Sequence, residues 1–122
     1  MIIAVDFDGT IVRGKYPAID GLMPYAVETI KAFKEKGHYV IINTCRTGDE
    51  LLTAINYLLE HGIPFDRVND NDPENTKKYK SSSRKIYAHV YIDDKNLGGF
   101  PGWLQAGVEV HRMDEAWRSH NA

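Results

Sequence analysis

The sequence predicts an α/β fold: a doubly wound, Rossmann-like, mostly parallel sheet with helices on both faces. Three observations carry this. Ile2-Ile3-Ala4-Val5 is an unbroken apolar run with β-branched side chains, as in a parallel strand covered on both faces. Strand, helix and strand succeed one another between Ile2 and Asn43, the pattern of a right-handed βαβ unit. A later apolar run, Ile86 to Ile92, ends like the first in paired carboxylates, Asp93 and Asp94.

The first strand runs into Asp6-Phe7-Asp8-Gly9-Thr10. In open α/β sheets ligands bind at the C-terminal ends of strands. Two acids there either hold a cation or divide nucleophile and acid/base roles; the plain alternative is an Asp-Gly turn. Arg13 to Gly21, with two Gly, a Pro and an Asp, reads as a turn-rich link. Tyr25 to Lys36 reads as a helix with Ala26, Val27, Ile30 and Phe33 as its apolar stripe, Pro24 at its start and Gly37 at its end.

Tyr39 to Asn43 is a second buried-type strand, and Thr44-Cys45-Arg46 lies at its C-terminal end, the sheet edge that carries Asp6. A helix from Asp49 to Glu60 follows, with Leu51, Leu52, Ile55, Leu58 and Leu59 expected inward and Gly62 and Pro64 stopping it. Ile63 to Val68 suits a short edge strand, given Pro64. Asn69 to Lys85 is a long polar loop with room for one turn of helix. Asp70-Asn71-Asp72 is not a calcium loop, because Asn75 stands where the required Gly would fall and Pro73 intrudes. After the Ile86–Ile92 strand, Gly107 to His111 suggests a last strand and Met113 to His120 a tail or helix.

Length allows one domain, residues 1–122. Hydrophobic content of 43% and charged content of 26% are those of a soluble globular protein. A net charge of −2 gives no general pull toward nucleic acid or anionic membrane, although it leaves room for a local basic patch. No apolar run approaches the ~18 residues of a membrane span. The first apolar run is interrupted at Asp6, unlike a signal peptide. The single Cys45 has no internal disulfide partner, which fits a cytoplasmic location.

Three polar groups thus sit at one predicted edge: Asp6/Asp8, Thr44 and Asp93/Asp94. DFDGT resembles the first motif, D-x-D-x-T, of the haloacid dehalogenase (HAD) superfamily of phosphotransferases. Thr44 is similarly placed to that family's Thr/Ser, and YIDDKNLGG resembles the acidic motif of small bacterial HAD hydrolases. The resemblance covers about the first hundred residues. It implies a Mg²⁺-dependent phosphatase in which Asp6 forms an aspartyl-phosphate and Asp8 serves as general acid, then base. Mg²⁺ would bind Asp6, the backbone carbonyl of Asp8, and Asp93, with Asp94 as ligand or supporting partner. Thr44 would donate to a phosphoryl oxygen. A phosphate-bridging Lys is also implied. Lys85 is preferred because it directly precedes the strand leading to Asp93, with Lys77, Lys78 and Lys80 as alternatives. Arg46 is either a substrate contact or a surface Arg. Cys45 falls among the substrate-binding residues and is expected as a small buried side chain. Both usual positions for a cap domain are short. A capless site implies a large or exposed phosphorylated substrate, of no particular class, or closure by a second subunit. The competing readings are a catalytically silent HAD-fold binding module and a receiver-type phospho-Asp signalling domain.

Overall fold

Ile2–Val5 forms β1, and all four of its side chains are buried. The computed structural model describes residues 1–121. Two short strands, β2 (Val12–Arg13) and β3 (Gly21–Leu22), pair antiparallel and turn the expected irregular link into a small hairpin. Then come α1 (Ala26–Glu35) and β4 (Tyr39–Ile42). α2 (Gly48–Glu60) has acids in its first turn, where the helix dipole favours them. β5 is Arg67–Val68. α3 (Pro73–Tyr79) is capped by the Asp72 side chain, which accepts from the Glu74 N–H. β6 (Val90–Ile92) and α4 (Trp103–Asn121) complete the chain. None of these helices is long and apolar enough to cross a membrane.

The main sheet has the order β5-β4-β1-β6, and every pairing is parallel. The chain steps outward from β1 to β4 to β5, then crosses to β6 on the other side of β1. The reversal leaves a crevice beyond the C-terminal ends of β1 and β6. Register fixes what lines it. Val5 is level with Ile42 on one side and Ile92 on the other, so Asp6, Asn43 and Asp93 emerge together.

Ile3, Val5, Val40 and Ile42 join Ile30 and Phe33 of α1, Ala54 and Leu58 of α2, and Trp103, Ala106 and Val110 of α4 in one buried cluster. Ala4 and Ile41, on the opposite face, are buried too. On that face Tyr91, level with Ala4, donates its hydroxyl to the Ile86 carbonyl and accepts from the Ala88 N–H. α3 has no buried residue.

Four expectations change. Gly107 to His111 is no strand but the middle of α4, whose buried Trp103, Ala106, Val110 and Asp114 recur at helical spacing. The Ile86–Ile92 strand shortens to its last three residues because the bonds to Tyr91 hold Ile86 to Ala88 off the ladder. On α2 the inward face is Ala54 and Leu58, while Leu52 and Leu59 are exposed. The polar loop holds α3, and its return is tied by buried Asn71, which donates to the Ser83 carbonyl at 3.0 Å and accepts from the Tyr87 N–H at 2.8 Å.

Candidate functional site

Asp6, Asp93 and Asp94 each present a carboxylate oxygen, and these oxygens lie within 4.8 Å of one another. Sheet pairing makes the cluster: the Asp6 N–H donates to the Ile92 carbonyl at 2.9 Å, which locks the end of β1 to the end of β6. The Asp6 carboxyl is pushed up to about 7, first by burial, then by its hydrogen bond with Asp94 and the charge of Asp93. Asp94 Oδ1 is buried without a hydrogen-bond partner. Crowded acids, an orphaned carboxylate oxygen and an all-oxygen donor set fit a hard divalent cation such as Mg²⁺. Such a cation would offset the burial and the neighbouring carboxylates that together raise Asp6.

Thr10 supports the cluster from within the same loop. Its fully buried hydroxyl accepts from the Asp94 N–H at 3.0 Å and faces Asp6 Oδ2 at 3.4 Å. Its carbonyl accepts from the Trp103 indole N–H at 2.7 Å. Gly9 lets the turn pass close beneath: its φ is +76°, and an added Cβ would lie 2.8 Å from Asp94 Cγ and nearer still to Oδ2. Gly9→Ala is therefore expected to destabilise the fold by about 2 kcal/mol, combining a left-handed backbone with the clash. Urea unfolding of the two proteins checks this; an unchanged midpoint would contradict it.

Asp8 does not join the acidic cluster through its side chain. Arg46 holds both its oxygens, Nε to Oδ2 and Nη2 to Oδ1, each at 2.7 Å. Arg46 is not a surface residue: it is 1% exposed, and it lines the same cavity as Asp6 and Asp8. Its remaining donors reach the Pro17 carbonyl at 3.0 Å and the Glu50 carbonyl at 3.2 Å. The guanidinium lies 5.1 Å from the ring centres of both Phe7 and Tyr16. The Asp8 hydrogen bonds hold its charge more firmly than usual.

Thr44 lies where expected, lining a cavity of about 560 Å³ with Asp6, Asp8, Asp93 and Asp94. Its hydroxyl accepts from the Arg46 N–H at 3.1 Å. Asn69, which no motif singles out, brackets Thr44 by accepting from the Thr44 N–H at 2.8 Å and donating to its carbonyl at 2.9 Å. Cys45 also lines this cavity but is exposed, contrary to expectation, because the chain turns outward after β4. Lys85 lines a second cavity, about 240 Å³, with Asp6, Asn43 and Asp93. Lys77, Lys78 and Lys80 line neither and are exposed on and just beyond α3.

Fold and site together define an α/β protein with an acidic, cation-suited centre at the reversal point of a four-stranded parallel sheet. A solved structure described as the conserved protein coded by locus from Bacteroides thetaiotaomicron superposes with a TM-score of 0.83 and 39% identity. The match covers 93% of this chain and 91% of that one, and the chain belongs to the family of that conserved protein. No family model matches the chain. No curated protein matches it either.

Proposed function

We propose that the protein is a capless phosphomonoester hydrolase of the HAD type, with a doubly wound core and dependence on Mg²⁺. The observation that carries this reading is the Asp6–Asp93–Asp94 cluster with Asp8 beside it at the sheet crevice. Asp6, Asp93 and Asp94 would hold the cation, which when bound neutralises the phosphoryl oxygens. An Asp6 oxygen attacks phosphorus while the ester P–O bond breaks, leaving an aspartyl-phosphate and an alcohol. Water then attacks that phosphorus, the Asp6 oxygen leaves, and inorganic phosphate is released.

Asp8 serves the proton transfers, giving one to the departing oxygen and taking one from the water. To reach either it turns out of the Arg46 fork toward the cavity that both residues line. Lys85, which lines a second cavity beside Asp6, would meet the phosphoryl group as its cation. Thr44 has its hydroxyl oxygen occupied by the Arg46 N–H, which leaves the hydroxyl hydrogen for a phosphoryl oxygen.

The purified protein is expected to hydrolyse p-nitrophenyl phosphate with Mg²⁺ and to stop when EDTA is added. Equal rates in the two conditions would remove the metal from the reading. One observation favours a silent binding module instead: both Asp8 oxygens are already engaged. That alternative predicts Mg²⁺ binding with no turnover of any phosphomonoester.

A further inference from the structure

Lys77 to Tyr87 holds five cations, Lys77, Lys78, Lys80, Arg84 and Lys85, with two tyrosines and no acid, in a chain of net charge −2. All five are exposed, and among the described residues none takes part in an ion pair. Beside them the rings form a row. Tyr79 and Tyr87 lie 6.3 Å apart between centres, Tyr87 and His89 5.6 Å, and His89 and Trp117 5.3 Å. Tyr79 is 57% exposed, Tyr87 38% and Trp117 39%. Asn71 holds the segment in place through Ser83 and Tyr87, so the row is built into the fold.

The row also has a direction. Lys85 lines the cavity that contains Asp6, whereas the His89 N–H donates to the carbonyl of Ile2, at the far end of β1. From Lys85 to His89 the track therefore runs the length of that strand, about 13 Å at ~3.3 Å per residue.

We propose that this surface binds single-stranded nucleic acid and delivers its phosphorylated end to Asp6; the delivery, but not the binding, rests on the phosphatase reading. Unpaired cations track a phosphate backbone, while exposed rings stack on bases of any sequence. An acidic peptide would engage the cations and leave the rings idle. The negative charge of the rest of the chain confines attraction to this stripe.

The test is fluorescence anisotropy of a labelled oligothymidylate with the full-length protein in EDTA, so that no turnover is needed. Binding is expected to weaken steeply with salt. Tyr79→Ser/Tyr87→Ser should lose roughly tenfold or more in affinity. Lys78→Ser/Lys80→Ser/Arg84→Ser should lower the log–log salt slope by about two. Tyr79→Ser alone, at the more exposed ring, keeps the test valid if the double variant fails to fold; it should lose severalfold. Absence of salt-dependent binding overturns the proposal. So does equal binding of heparin with the tyrosine variants unaffected, which marks a general polyanion surface. Oligonucleotide binding without p-nitrophenyl phosphate hydrolysis would sink the phosphatase reading and leave the binding surface standing. Hydrolysis of p-nitrophenyl phosphate with no release from a bound, end-phosphorylated oligonucleotide would overturn delivery to Asp6.

Discussion

Asp6→Asn is expected to abolish phosphomonoester turnover and, in the absence of metal, to make the protein more stable. The amide keeps the shape of the carboxylate but is no nucleophile, so the loss should reach background, at least about 10³-fold. The stability effect follows from linkage. The Asp6 carboxyl, ordinarily near 3.8, stands at about 7 in the fold, so the native state resists the charge. Below both values the group is protonated folded or unfolded and costs nothing. As pH rises from 3.8 to 7 the unfolded chain releases its proton first, and stability falls. Above 7 the full penalty remains, and Asn removes it: roughly 1–3 kcal/mol at pH 8, discounted for partial solvation. Mg²⁺ should then raise the melting temperature of wild type more than that of Asp6→Asn. If Asp6→Asn is less stable than wild type at pH 8 without metal, the carboxylates are not in conflict and the cation site loses its main support.

Arg46→Met should be the most destabilising of the site substitutions, by about 2–4 kcal/mol. It removes the partner of Asp8 and the donors to the Pro17 and Glu50 carbonyls, three segments that meet at one guanidinium. Asp8 is one-third exposed and recovers some hydration, which keeps the loss below that of a fully buried pair. Arg46→Lys keeps the charge but not the two-pronged geometry, so it should fall between the two. The check is the urea midpoint of the three proteins. A loss under about 1 kcal/mol for Arg46→Met would mean that these contacts are individually dispensable.

β1 and its acids were legible because a doubly buried strand must be an uninterrupted apolar run and its C-terminal end must carry the polar residues. Asp93 and Asp94 were legible because they directly follow a second, largely apolar run, Ile86 to Ile92, of which Val90–Ile92 is β6. Arg46 was not. Its partner lies 38 residues away, and nothing local separates an Arg that reaches solvent from one folded under a tyrosine ring. α4 was misread at Gly107, Val108 and Val110, residues that favour strands or breaks. Gly107 faces α1, where an added Cβ would lie 3.4 Å from Thr29 Cγ2, an ordinary contact. Thr10 stood in the motif itself, but its task, bonding Asp94 from 84 residues away, is visible only once β6 lies beside β1.

The indole of Trp103 reaches back to the Thr10 carbonyl across 93 positions of sequence. A nascent chain therefore carries its Asp-x-Asp loop for most of its synthesis without the brace that holds it. β6 brings Asp93 and Asp94 to Asp6, but the loop gains its brace only when α4 docks, so the site matures among the last features of the fold. Amide exchange at Thr10 and Ile11 should accordingly follow the opening of α4 rather than that of the central strand.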